Sequence, residues 1–194
     1  MKPRIKIDTT ILLGIIALTG ILLQFPGLYP KNYFLNAVLD FLGPLAVLTG
    51  MFFRMSARGY KKARSENGHG LVTAGPYSLV RNPMYLGTFL VGLGFILVVW
   101  PWYLLPVFAT FFFQRFNIQI RKEESHLHKI FGASYEAYIQ KVPGFFPRLR
   151  DLKKARYREI FPIQAMGSTK EKYGLLWGPF LVLMLEFLHR RIVP

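Results

Sequence analysis

Residues 83–120 read PMYLGTFLVGLGFILVVWPWYLLPVFATFFFQRFNIQI. Two apolar runs, about Pro83 to Trp100 and Trp102 to Ile120, meet at a Pro101-Trp102 turn, and Arg115 is the one Lys, Arg, Asp or Glu between them. A helix crosses a bilayer core with about 20 apolar residues. Backbone polar groups in lipid must be satisfied within the segment, which a helix does. The stretch therefore reads as a transmembrane helical hairpin, and the fold class as all-α and polytopic.

Outward from the hairpin, three further segments have spanning character: about Thr9 to Phe25, Tyr33 to Met55 and Tyr173 to Ile192. That makes about five spans in a single integral membrane domain, residues 1–194. The second span carries Asp40 and a possible kink at Gly43-Pro44. The last carries Glu186 and is expected to be interrupted at Gly178-Pro179. No role is assigned to either carboxylate. The fourth span is expected to leave the membrane as a helix through Lys129. The basic start Met1-Lys2-Pro3-Arg4 resembles a signal peptide, but no clean cleavage site follows, so it reads as the first span.

The chain of 194 residues is 52% hydrophobic yet carries a net charge of +15, with a mean hydropathy of +0.29. Its basic residues gather in every second loop, and this alternation places the N-terminus inside and the C-terminus outside. Trp100, Trp102 and Tyr103 suit the outer interface. Charge placed between spans argues against a nucleic-acid partner. The basic residues around 150–170 suit an anionic lipid surface. No cysteine is present, which excludes disulfides, thiolate metal sites and a Cys nucleophile. His126 and His128 diverge on a helix, so no metal is expected.

Polar motifs flank both ends of the hairpin on its cytoplasmic side. The first runs from His69-Gly70-Leu71-Val72 through Tyr77 to Arg81-Asn82-Pro83-Met84-Tyr85. Its glycines permit a loop whose backbone groups can bind a flat heterocycle, although a Gly-rich loop alone is an ordinary connection. Arg81 reads either as an interfacial anchor or as a partner for an anion. In the second motif, Arg115, Gln119 and Glu123 recur every four residues as a polar stripe on a Phe-rich helix. Such a stripe should face a protein interior or wet cavity. Glu123 and Glu124 point about 100° apart. Either one meets a ligand while the other pairs with Arg121, or both sit on a solvated helix end among surface ion pairs. Tyr135, Tyr138, Val142 and Pro143 read either as a cytosolic helix packed back onto the site or, for each residue taken singly, as ordinary core packing.

The text HGLVTAGPYSLVRNPMYLG (69–87), EE (123–124) and FGASYEAYIQKVP (131–143) resembles the isoprenylcysteine carboxyl methyltransferases. More broadly, it resembles the membrane methyltransferases that include phospholipid methyltransferases. The resemblance covers about residues 60–148, which become the expected catalytic core. It implies S-adenosylmethionine as methyl donor, S-adenosylhomocysteine as product, and a lipophilic acceptor entering from the bilayer. It also implies a helical fold unrelated to the Rossmann methyltransferases, and no GxGxxG fingerprint occurs here.

Carried onto this chain, the resemblance makes His69, Gly70, Leu71, Val72, Tyr77, Asn82, Pro83, Met84, Tyr85 and Glu123 cofactor contacts. Arg81, Glu123 and Glu124 become catalytic candidates, and Arg81, Arg115, Gln119 and Arg121 acceptor-side candidates. Two positions depart from the family pattern: Asn82 stands where it has His, and Gln119 where it has a substrate-side Arg. Two other readings stay open, a membrane sterol or isoprenoid reductase using NADPH and a non-catalytic membrane scaffold.

Overall fold

A computed structural model describes residues 17–22, 24–29, 32–64, 70–154, 157–160 and 172–192. Most of the expected first span, and His69, lie outside the described residues. The described residues are helical with no strand among them. Helix α1 is Tyr33–Arg64, α2 Pro83–Val99, α3 Leu105–Phe131, α4 Ala133–Lys141, α5 Leu149–Lys154, α6 Tyr157–Ile160 and α7 Lys172–Ile192.

Helix α1 begins where the Asn32 side chain accepts the N–H of Leu35 at 3.0 Å, a capping bond that satisfies an otherwise orphan donor. It continues through Pro44 and runs nine residues past the expected end at Met55. The extension is held by burial of Ser56, Ala57, Gly59 and Tyr60 against the loop that follows. Lys61, Lys62 and Arg64 close its last turn, where cations meet the negative end of the helix dipole. Among the described helices it is the one long and apolar enough to cross a membrane. The apolar α2 is 17 residues long and starts at Pro83, whose missing N–H costs nothing in a first turn. As expected, α3 runs beyond Ile120, to a stop at Gly132.

Helices α1 and α2 pack backbone to backbone. A Cβ on Gly50 would stand 2.6 Å from the Gly87 carbonyl oxygen, and one on Gly87 2.5 Å from that of Gly50. Small residues at a crossing allow this approach, which gains dispersion contacts that lipid does not supply. Gly50→Ala is therefore expected to push the helices apart at a cost of about 1–3 kcal/mol, read as a lower melting temperature in detergent.

The last helix corrects one expectation. It is continuous through Gly178-Pro179. Asp40 and Glu186, unassigned from sequence, share one cation: Arg190 lies 2.8 Å from the first and 2.9 Å from the second. Gly178 faces Met51 and Val47 of α1, so α7 runs antiparallel to α1 with its C-terminus near the start of that helix. Val47, Ile96, Val98, Val99 and Val182 form the core where α1, α2 and α7 meet.

Candidate functional site

The site gathers at the end of α1 and α2 remote from Asp40. After α1 the chain turns at Gly75, with φ +65°, where a Cβ would stand 2.5 Å from Tyr60 Cε2. Left-handed backbone and lack of space both call for glycine there. The turn Gly75–Ser78 is fixed by the Ser78 hydroxyl donating to the Gly75 carbonyl at 2.7 Å. Tyr77 is thereby directed inward, and its hydroxyl donates to the Ala57 carbonyl at 3.3 Å. Burial, and then the Glu123 carboxylate, push the Tyr77 phenol well above its ordinary value. It stays a neutral donor at physiological pH.

Helix α4 packs back onto this turn, as expected. Tyr135, Tyr138 and Val142 form a cluster with Leu71 and Leu127. The Tyr138 hydroxyl donates to the Tyr77 carbonyl at 2.7 Å. Burial also pushes the Tyr135 phenol up to about 12. The segment after α4 is sewn to the start of α2. Arg81 N–H donates to the Pro143 carbonyl at 2.9 Å, and Asn82 N–H to the Gly144 carbonyl at 3.2 Å.

The two glutamates part company. Glu124 turns inward: Arg81 Nε donates to its Oε1 at 3.1 Å and Asn82 Nδ2 at 2.9 Å. Arg81 Nη1 also donates to the Ile139 carbonyl at 3.4 Å, and Asn82 Nδ2 to the Gly144 carbonyl at 3.0 Å. The expected Arg121–Glu124 pair is thus replaced by Arg81–Glu124. The arginine from the other motif is already fixed by the chain's return, whereas Arg121 is exposed. A carboxylate beside a half-buried guanidinium and a buried amide forms charge-assisted bonds, stronger than neutral ones.

Glu123 is exposed. Its Oε1 accepts the Tyr85 hydroxyl at 2.7 Å and Gln119 Nε2 at 3.1 Å. Its second oxygen has no hydrogen-bond partner among the described residues. The stripe on α3 is partly as expected, with Gln119 meeting Glu123 while the Arg115 guanidinium lies over the Phe116 ring at 5.7 Å. Tyr85 also leans on Phe116, ring centroids 5.5 Å apart. Pro83 is buried and Met84 half-buried in the first turn of α2. Gly70 is exposed, Leu71 and Val72 are half-buried, and no backbone hydrogen bond joins Leu71, Val72 or Thr73 to another described residue.

Sequence reading missed three parts of this arrangement. Tyr60 and Ala57 belong to it because α1 is longer than its apolar run. Gly144 supplies the carbonyl that holds Asn82. The Ser56 hydroxyl donates to the carbonyl of Ile160, which brings α6 beneath the turn. These links join residues far apart in sequence, so no local pattern announces them.

Residues 37–134, half of the chain, match the family model described as phospholipid methyltransferase. The chain belongs to the phospholipid methyltransferase family. The protein-S-isoprenylcysteine O-methyltransferase of Schizosaccharomyces pombe is 35% identical over 85 residues, 44% of this chain and 36% of that protein. The enzyme of the same name from Saccharomyces cerevisiae is 35% identical over 127 residues, 61% of this chain and 53% of that protein. The delta(14)-sterol reductase LBR of Gallus gallus is 31% identical over 91 residues, 46% of this chain and 14% of that protein. The chain spans about a third to a half of the length of the two methyltransferases. No solved structure matches significantly. The family match takes in Glu123, Glu124 and the whole turn from Gly70 to Tyr85, and ends just before Tyr135.

Proposed function

We propose that this chain transfers a methyl group from S-adenosylmethionine to a lipophilic acceptor held in the bilayer, with a prenylcysteine-like carboxylate as the acceptor group. The observation that carries the reading is the exposed Glu123 carboxylate, held from one side by Tyr85 and Gln119, one turn before Leu127, which shares a cluster with Leu71 of the 71–73 loop. This donor set suits the cofactor. Its ammonium or ribose hydroxyls call for a carboxylate, its purine for backbone N–H and C=O groups, and its sulfonium for aromatic faces. Glu123 answers the first, Leu71 to Thr73 the second, and Tyr85 with Phe116 the third. The named relatives supply the acceptor class.

When bound, the donor supplies an electrophilic methyl whose carbon–sulfur bond breaks with its electron pair going to sulfur, as an acceptor oxygen forms the new carbon–oxygen bond. The residues here need only bind, orient and keep water out, since positioning can supply a large share of such a rate. A carboxylate acceptor is already a nucleophile and requires no general base. Arg81 is a positioning residue in this reading, because its Nε is engaged by Glu124 and its Nη1 by the Ile139 carbonyl. Gln119, touching Glu123, is the acceptor-side residue nearest the reaction. His69, Gly70, Asn82, Pro83 and Met84 complete the cofactor wall, and residues 60–148 are the catalytic core.

The same reading makes the protein a multi-pass membrane protein of about five spans, with the site cytoplasmic and the C-terminus outside. The antiparallel α1 and α7 support it, as does the basic last turn of α1 on the site's side. The reductase reading has the sterol reductase similarity in its favour. Calorimetry of detergent-purified protein with S-adenosylhomocysteine, run beside NADPH, separates the two. Micromolar binding of the first alone is expected; binding of NADPH alone overturns the methyltransferase reading.

A further inference from the structure

Between α2 and α3 lies a continuous band of aromatic rings. It starts at Tyr85, whose hydroxyl is on Glu123, and passes through Phe116 to Phe112, centroids 4.4 Å apart. From Phe112 it reaches Phe89 at 5.0 Å and Phe113 at 5.7 Å. It ends on two neighbours from the segment after α4: Phe145, 5.2 Å from Phe113, and Phe146, 6.1 Å from Phe89. One end of the band is thus the polar site, and the other is a ring 56% exposed, Phe146.

The two terminal rings differ in how they are held. Phe145 is anchored, packing also against the cluster of Phe53, Leu79, Val80, Leu86 and Ile160. Among the described residues Phe146 makes ring contacts with Phe89, Phe113 and Phe145 only, and much of it is exposed. Their backbone is continuous with Pro143 and Gly144, whose carbonyls bind Arg81 and Asn82. Those side chains in turn hold Glu124, next to Glu123.

We propose that Phe145 and Phe146 form the door of an acceptor track, Phe145 as its hinge post and Phe146 as its leaf, and that Phe146 sets which apolar tails pass. The inference rests on the methyltransferase reading and adds the course of the acceptor's tail: along the ring band, with its reactive head at Tyr85 and Glu123. Phe146 has fewer ring contacts to give up than Phe145, which is also packed on the apolar cluster behind it, and both rings offer flat apolar faces to a hydrocarbon tail. A pocket distinguishes hydrocarbons by size at about tenfold or more per methylene, so the bulk of one ring at the entrance is enough to discriminate.

The test uses the full chain in detergent–lipid micelles, as wild type, Phe146→Ala and Phe146→Trp. Probes are the N-acetyl cysteines carrying S-geranyl and S-farnesyl groups, with labelled S-adenosylmethionine. The larger indole is expected to lower the farnesyl-to-geranyl ratio of kcat/KM about tenfold. Phe146→Ala should raise that ratio, and all three proteins should keep the same affinity for S-adenosylhomocysteine. An unchanged ratio in both variants overturns the door. So does a parallel fall in melting temperature, product affinity and both activities, which marks Phe146 as packing. A wild type that binds S-adenosylhomocysteine but methylates neither probe overturns the acceptor track while sparing the cofactor site. One that does not bind it overturns the methyltransferase reading itself.

Discussion

Glu123→Ala is expected to weaken S-adenosylhomocysteine binding by about 10- to 100-fold and to leave folding intact. Hydrogen bonds to a charged group contribute about 1.5–3 kcal/mol net, which sets that range. Glu123 is exposed on α3, and its bonds to Tyr85 and Gln119 lie at the surface. Removing it opens no cavity and strands no buried charge, so the melting temperature should move by no more than a degree or two. Glu123→Gln should fall between wild type and alanine, because it keeps an acceptor oxygen but not the charge. Calorimetry and thermal melting on the same preparations check both halves. Unchanged affinity in Glu123→Ala sinks the assignment of this carboxylate to the cofactor.

Glu124→Ala should behave in the opposite way, losing stability first and binding as a consequence. The pair it forms with Arg81 is mostly enclosed, with side-chain exposures of 22% and 16%. Cutting one partner from an enclosed pair costs about 3–5 kcal/mol when burial is complete. Residual solvent access at Arg81 reduces that to about 2–3 kcal/mol. In a chain of this size each kcal/mol shifts the melting temperature by about 2–4 °C, so a fall of roughly 4–12 °C is expected. Asn82 loses a bond in the same change. The single variants Glu124→Ala and Asn82→Ala should therefore be non-additive when combined, as partners in one network are. A melting temperature equal to wild type in Glu124→Ala overturns the stapling role of this residue.

The contrast between adjacent glutamates shows what a linear pattern can and cannot tell. Helical geometry separates the two side chains by about 100°, so their different fates follow from sequence. Which of them turns inward, and onto which arginine, does not. Arg121 is three residues from Glu124 and was the local choice. Arg81 is 43 residues away, and it meets Glu124 because Pro143 and Gly144 fix the backbone of Arg81 and Asn82. Similarly, hydropathy ended α1 near Met55, since the residues beyond are polar or small. Burial of Ser56, Ala57, Gly59 and Tyr60 by the returning loop carried it on to Arg64.

The helical class, the hairpin and its turn, the continuation of α3 beyond Ile120 and the two motifs that mark the family are legible in the order of residues alone. All of these depend on local properties: hydrophobic run length, proline and glycine placement, and residue order within a motif. Packing between helices settles the rest: Asp40 and Glu186 share Arg190, Glu124 staples Arg81 and Asn82, and a band of rings leads from Tyr85 to Phe146. Each of these joins side chains from separate helices. Their partners are selected by how the helices cross, through contacts such as Gly50 on Gly87, and helix crossing is a property of packed surfaces that no single segment contains.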